Sequence, residues 1–447
     1  MAFEQGGGAM ILDFTGSNFK SFGYEYDFFM QPQSRLTELK YSILEESIHG
    51  ETVKALSSSV VYGPNASGKT SIINAMSCLK QIIIRGNIKN AQEDRTLDHV
   101  SDKMELIPFR FHGDIKPIIF DISFTNNDKK YRYNLSFYVG RFLQTEFERF
   151  IDQEELYVDD HLIYTRNKED VSHLDTSWIK SERNIGYQDK DDEKNRILMG
   201  NNITYDSLLL STDFNSFCSK SIVSEILDWF LNKFIVVNAS NRGGFYPILD
   251  KNHLVLSSDV IDGIAKEAGI IGDGFIYVSD QENERPRLIS VLKRNGKKVS
   301  GVESTEIESV GTLRLIAILP AILRALKNGA TLVMDELDAS LHPSIVMNII
   351  SIFHNDEVNT KGAQLIFNTH NPMYLNNKLL RRDEIKFVER DTITKSSQLY
   401  ALSDFKTNSG ETSVRKTSDY MKNYFINRYG AILEVDFTDF ILEYLNN

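Results

Sequence analysis

Hydrophobic and polar positions change period along this chain, and the changes mark its elements. The β-branched run Leu56-Ser57-Ser58-Ser59-Val60-Val61-Tyr62 predicts a buried strand, and in Ser71–Leu79 the apolar residues recur at helical spacing. Thr331–Met334 and Gln364–Phe367 are apolar runs of strand length. The segment Ile11–Phe29 alternates in strand fashion. Pro117–Ser123, Tyr131–Val139 and Phe142–Phe150 read as consecutive antiparallel strands, with Asn126-Asn127-Asp128 as the first turn. Within 219–234, Ile222, Ile226, Leu227, Phe230 and Leu231 form one stripe, which predicts a buried or partner-facing helix. A long apolar helix, Ile316–Leu326, carries Pro320 in its middle.

Other stretches lack such periods. Residues 80–110 are polar and irregular, and Asp152–Arg196 is charged enough, with Asp189-Lys190-Asp191-Asp192-Glu193-Lys194, to predict a mobile surface loop. Residues 235–300 mix short strands with glycine turns at Asn241-Arg242-Gly243-Gly244 and Asn295-Gly296. Lys293, Arg294, Lys297 and Lys298 flank the second turn, either as a solvated hairpin tip or as a contact for phosphate or an acidic partner. The glycine run in residues 1–10 reads as a flexible leader or tag. The expected division is 1–10 leader, 11–144 N-terminal lobe, 145–300 inserted region and 301–447 C-terminal lobe.

Composition narrows the classes. With 447 residues, 41% of them hydrophobic, the chain can bury a large core. No apolar run reaches the ~18 residues of a bilayer span, which predicts a soluble chain without a membrane partner. Cys78 and Cys218 have no metal-ligand or redox spacing, which points to free thiols in the cytoplasm. The net charge of −12 disfavours DNA as the main partner.

The chemistry sits at the element boundaries. Gly63-Pro64-Asn65-Ala66-Ser67-Gly68-Lys69-Thr70 matches G-x-x-x-x-G-K-[ST] between a strand and a helix. Its backbone N–H groups and the helix N-terminus form an anion cradle for a nucleoside triphosphate. Lys69 adds a charge for the β- and γ-oxygens, Thr70 a ligand for Mg²⁺, and Ser71 extends the set. Asp335 and Glu336 end an apolar strand, with Asp335 expected in the magnesium shell and Glu336 as general base on water. His370 ends the next apolar strand, where it could hydrogen-bond the γ-phosphate or the attacking water. Ser309 and Gly311, ahead of the long apolar helix, make a second anion site or a simple helix cap.

These motifs together resemble ABC-type ATPases. Asn18-Phe19-Lys20-Ser21-Phe22 is similar to the opening of the RecF, SMC and Rad50 group, where the segment lies near nucleotide. Lys20 is therefore a site candidate, with a solvated edge-strand lysine as the other reading. The resemblance implies an α/β ABC-type head, a mixed sheet with a P-loop core plus an antiparallel sheet, carrying a mainly helical inserted arm or lid. It also makes His370 the switch histidine. In the same resemblance Asp338 crosses to the opposite protomer, and Ser309 and Gly311 complete a neighbour's site, so ATP would be sandwiched in homodimers. The family's Q-loop glutamine has no good match among Gln81, Gln92 and Gln144.

Ser-x-Gly-Thr-x-Arg-Leu at 309–315 and the segments 384–391, 399–405 and 427–432 resemble AAA/ABC-type ATPases of prokaryotic anti-phage defence. The ATPase components of PARIS and of RloA and AbiL type operons are the nearest likeness. After His370 only a short stretch remains, without a convincing set of metal-binding acids, so no Toprim nuclease is expected. The resemblance implies an ATPase that controls a separate toxin or nuclease effector and answers to a phage-encoded trigger. The alternative is a DNA-repair ATPase of the RecF or Rad50 kind.

Overall fold

The computed structural model describes residues 9–89, 104–144, 146–185, 187, 192–238, 255–257, 259–270, 274–278, 286–294, 297–405, 414–433 and 435–446. Two sheets organise them. The first is antiparallel, with strands β1 (Ile11–Ser17), β2 (Tyr26–Phe29), β6 (Ile118–Asn126), β7 (Lys129–Tyr138), β8 (Phe150–Val158), β9 (His161–Asn167) and β10 (Asp170–Leu174) in the order β10-β9-β8-β7-β6-β1-β2. Ile118, Phe120, Ile122 and Phe124 of β6 sit on one face beside Tyr131, Tyr133, Leu135 and Phe137 of β7, as the period of two requires.

The second sheet holds β5 (Ser58–Tyr62), β11 (Phe234–Val237), β16 (Thr331–Met334), β17 (Gln364–Asn368), β18 (Ile385–Arg390) and β19 (Ser397–Ala401), ordered β11-β16-β17-β5-β18-β19. All pairings but β18 with β19 are parallel. Strands β5, β16 and β17 are buried along their whole length, as expected for a parallel sheet covered on both faces. Their residues divide by parity: Val61, Val333 and Ile366 join the core that includes the antiparallel sheet, whereas Val60, Tyr62, Leu332, Met334, Leu365 and Phe367 join the opposite core. Smaller units are the β3 (Ile43–Ile48) and β4 (Glu51–Leu56) hairpin and the sheet β12 (Val255–Ser257), β13 (Phe275–Val278), β14 (Arg287–Arg294), β15 (Lys297–Glu303).

The helices are α1 (Lys69–Arg85), α2 (Asp192–Gly200), α3 (Lys220–Asp228), α4 (Asp259–Glu267), α5 (Ser304–Ile307), α6 (Val310–Asn328), α7 (Pro343–Phe353), α8 (Tyr420–Phe425) and α9 (Thr438–Asn446). No helix among the described residues is long and apolar enough to cross a membrane. Ile72, Ile73, Met76 and Leu79 of α1 pack into the core under the antiparallel sheet, with Trp229 after α3 stacked between Phe124 at 4.1 Å and Phe234 at 4.9 Å. One side chain locks the two sheets together. Gln364 accepts from Ile11 N at 2.7 Å and Thr331 Oγ1 at 2.8 Å, and donates to Ile11 O at 3.1 Å and Leu56 O at 2.9 Å.

The inserted region departs from the sequence reading. Expected as mainly helical, 145–300 also supplies β8–β10 to the antiparallel sheet and β11 to the parallel one. The strand expected at Phe142–Phe150 begins only at Phe150, and the charged stretch 152–196 is mostly strand and helix. Its charges misled because they are paired: buried Glu154 accepts from Tyr133, Tyr164 and the N–H groups of Leu209 and Leu210, and lies 3.5 Å from buried Arg166. In the expected stripe, Ile222, Ile226 and Phe230 are buried, while Leu231 is exposed. Ala9 and Met10, assigned to the leader, are core residues, since Met10 pairs through its backbone with Thr125. Residues 1–8, the Asn241–Gly244 turn, Gln92 and the first half (189–191) of the charged run at 189–194 lie outside the described residues, as does the Asn295-Gly296 turn between paired β14 and β15.

Pro320 sits inside α6 and has no N–H to give the carbonyl four residues back. That acceptor is Ile316 O, fully buried, and the Tyr277 hydroxyl of β13 donates to it at 3.1 Å. A proline defect in the helix thus becomes the anchor for the inserted sheet. Tyr277→Phe strands that carbonyl and should cost about 1–3 kcal/mol in urea unfolding. In a Pro320→Ala background, where the helix N–H is restored, the same substitution should cost clearly less.

Candidate functional site

The loop Gly63–Thr70 leaves the carboxyl end of β5 and opens into α1. Gly68 caps that helix at φ 119°, and a Cβ there would stand 2.3 Å from Ser21 Oγ and 2.6 Å from Ser397 Oγ. Both serines clasp the loop: Ser397 Oγ donates to Ser67 O, and Ser21 Oγ lies 3.0 Å from Ser71 Oγ. Asn65 and Ala66 form the exposed tip, with Ala66 at φ 62°. Lys69 is buried, and its Nζ donates to Gly63 O at 2.8 Å and Pro64 O at 3.0 Å. Burial pushes its pKa down to about 8 against the opposing pull of Asp335 and Glu336.

Parallel pairing delivers the acids beside this loop. Buried Asp335 follows β16, and its Oδ1 accepts from Thr70 Oγ1 at 3.0 Å and from Asn368 Nδ2 at the end of β17. The same carboxamide accepts from Glu336 N at 2.6 Å through Oδ1. One Asn side chain therefore fixes both acidic residues. Glu336 holds a left-handed φ of 51° with an exposed side chain, a backbone state that costs about 1–3 kcal/mol unless its surroundings enforce it. The Asn368 bond enforces it from one side, and Arg314 Nη2, donating to Glu336 O at 3.0 Å, from the other.

Two expected neighbours complete the rim. Thr369 Oγ1 donates to Asp338 Oδ2 at 2.7 Å, which turns Asp338 toward the end of β17 in its own chain. His370 stands next in the chain, exposed, and partial desolvation first and the Lys69 charge second hold its pKa below the usual imidazole value, so the ring is neutral near pH 7. Ser309 caps α6 by accepting from Thr312 N at 3.1 Å, and Gly311 approaches the segment after Glu336 so closely that a Cβ would meet Ser340 O at 2.7 Å. Ser309 is exposed on the molecule's surface, beside Val310 at 70% exposure. Lys20 is engaged elsewhere, with Nζ 3.1 Å from Glu105.

These residues fit a nucleoside triphosphate with a divalent cation. The first N–H groups of α1 have no partner within the helix, Ser67 Oγ is buried without a hydrogen bond, and Lys69 provides the positive charge. Thr70 and Asp335, which bond each other directly, are the residues that would hold a cation. Among the described residues no group of three or more His, Cys, Asp or Glu is placed to hold a metal. Bound there, Mg²⁺ would neutralise charge on the phosphoryl oxygens. Sequence reasoning named Lys69, Thr70, Asp335, Glu336 and His370 but not Asn368, Arg314, Ser21 or Ser397. A polar Asn closing an apolar strand was the signal available for the first. Ser397 gave none, because its contact with the loop spans 330 positions.

Residues 58–376, well over half of the chain, match a family described as "AAA domain, putative AbiEii toxin, Type IV TA system". The chain belongs to this AAA family. No curated protein matches it. Among solved structures, the SMC head domain from Thermotoga maritima is 13% identical, with 88% of this chain and 98% of that one covered at a TM-score of 0.35. An Smc head domain with an extended coiled coil, bound to the C-terminal domain of ScpA and derived from Pyrococcus furiosus, is 15% identical, with 88% and 96% covered at a TM-score of 0.35.

Asn368→Ala should leave the protein folded but release Asp335 and Glu336 together. Calorimetric titration should show Mg²⁺-dependent nucleotide affinity reduced about tenfold or more, with metal-free nucleotide affinity nearly unchanged.

Proposed function

We propose that this AAA-family protein hydrolyses ATP with Mg²⁺ at sites shared between two copies of the chain, and that the cycle controls a separate effector in prokaryotic anti-phage defence. The observation that carries the reading is the convergence of Lys69, Thr70, Asp335, Glu336 and His370 at the carboxyl ends of β5, β16 and β17, where Thr70 and Asp335 already touch. Glu336 serves as general base on the attacking water, and neutral His370 orients that water or the γ-phosphate. Lys69 and the loop N–H groups hold the phosphates.

Sharing between copies is supported by Ser309 and Gly311. They stand on the surface at the amino end of α6 with exposed Val310 and Ile307, while Arg314 and Gly311 tie that helix end to the Asp335–Ser340 segment. The surface that would meet a neighbour's phosphates and the turn that carries Glu336 thus form one unit. The role in defence, a toxin or nuclease as effector, a phage protein as trigger and a cytoplasmic site rest on the resemblance of the signature and C-terminal segments, together with the family's toxin-system description. In this reading 11–144 and 301–447 are two lobes of one head, with 145–300 built onto it and open to partners.

Lys69→Ala should abolish ATP binding in equilibrium titration. Glu336→Gln should bind ATP at parental affinity, lose at least about a hundredfold in turnover, and elute as a nucleotide-dependent dimer; parental turnover by this variant would remove the assignment of Glu336. Lys69→Ala and Ser309→Ala proteins, each inactive alone, should regain part of the ATPase rate when mixed, because a mixed dimer retains one intact shared site. No recovery at any mixing ratio would refute sharing.

A further inference from the structure

Between the loop before β6 and the turn after β7 lies a cavity of 210 Å³, whose lining includes Asn18, Phe109, Arg110, Lys116, Arg141 and Phe142. Its walls are tied to one buried side chain. Asn18 donates through Nδ2 to Lys116 O at 2.7 Å and Pro117 O at 3.1 Å, and its Oδ1 accepts from Phe109 N at 3.2 Å. The cations Arg110, Lys116 and Arg141 are exposed at this space, and none has an ion-pair or hydrogen-bond partner for its side chain among the described residues. Arg110 is instead held over the Phe111 ring at 4.6 Å. Asp114 is the acid among the lining residues, and the His112 ring bonds Gly23 O at 2.7 Å through Nε2.

Two guanidinium groups and an ammonium against one carboxylate leave an excess of positive charge around one space. Like charges held together repel, and in a chain with a net charge of −12 they are a local exception. A guest that relieves the repulsion is an anion. Its size follows from the volume, which is below the about 300–1,000 Å³ of sites for drug-sized ligands. Its charge follows from the lining: three cations and one acid match a phosphoryl dianion, whereas a single carboxylate would leave part of the excess uncompensated. Arg110 and Lys116 come from the loop before β6 and Arg141 from the turn after β7, so donors reach the space from two chain segments. That suits an ion whose oxygens point in several directions.

We propose that this cavity binds a small phosphoryl anion, inorganic phosphate or a phosphate monoester, at a site separate from the one for the nucleotide's phosphates. Arg110 and Arg141 bond its oxygens, Lys116 adds a point charge, and Phe109 and Phe142 bound the space open to an ester's organic group. The site adjoins the segment that clasps the nucleotide loop. Lys20 N donates to Ile107 O at 2.9 Å, and Ser21, three residues after Asn18, has its Oγ 3.0 Å from that of Ser71. The inference goes beyond ATP hydrolysis and does not depend on it.

The probes are inorganic phosphate, phenyl phosphate and acetate, titrated calorimetrically at constant ionic strength into the full chain carrying Lys69→Ala, in which the nucleotide loop has lost its cation. At least one phosphate compound should bind, the tighter of the two identifying free anion or monoester, and acetate should bind about tenfold more weakly or worse. Arg110→Gln and Arg141→Gln, both exposed changes, should each weaken phosphate binding about tenfold. Asp114→Asn should tighten it roughly threefold, a gain that damage to the fold cannot produce. Overturning results are no binding of either phosphate compound, acetate binding as tightly as phosphate, affinity unchanged in both arginine variants, or an oligonucleotide that binds through these arginines while phosphate does not. ATP binding to the parental protein is read separately: its absence removes the ATPase reading and leaves the phosphate result standing.

Discussion

The site depends on a single strand with polar ends. β17 is apolar through Leu365, Ile366 and Phe367, which bury it between two cores, but Gln364 and Asn368 at its ends are carboxamides four residues apart and so on the same face. At the amino end Gln364 bonds the backbone of β1, the backbone at the end of β4 and the Thr331 hydroxyl. At the carboxyl end Asn368 bonds Asp335 and the Glu336 N–H. Each group is buried, so each bond would be costly to leave unmade. The strand that joins the two sheets is the one that sets the acids.

This arrangement explains how buried charge and backbone strain are tolerated. Glu336 is held left-handed from two sides, by Asn368 and Arg314, so its side chain points outward while Asp335 points inward to Thr70. Two adjacent carboxylates thereby take different environments. Neutral His370 and a lysine whose pKa is pushed down by burial stand across from them. Such separation of neighbouring titratable groups is how one pocket holds groups of different protonation at one pH.

Much of this was legible in the chain itself. The glycine loop, the apolar runs ending in Asp335-Glu336 and in His370, and the helix cap at Ser309 follow from local chemistry, since period and boundary residues are both sequence-local. Other features were illegible because the residues that matter are far apart. The charged stretch 152–196 looked like loop, yet Glu154 and Arg166 are buried inside a network reaching to Ser207 and Leu210. Pro320 was visible in the middle of the long apolar helix, but its compensating donor, Tyr277, lies in another sheet and gave no local signal.

The pairing order also has a consequence for how the chain is made. β5, the strand that leads into the phosphate loop, has β17 and β18 as its only neighbours in the sheet, and both are encoded more than 300 residues later. At ribosomal rates of about 5–20 residues per second, Ser58–Tyr62 waits roughly 15 to 60 s with both edges unpaired. During that interval the nascent amino-terminal part presents an apolar strand with open hydrogen-bonding groups on each side, a template for association with other chains. Truncated transcripts and stalled ribosomes would therefore yield aggregation-prone fragments, and co-translational chaperone capture is most valuable before Asn368 emerges.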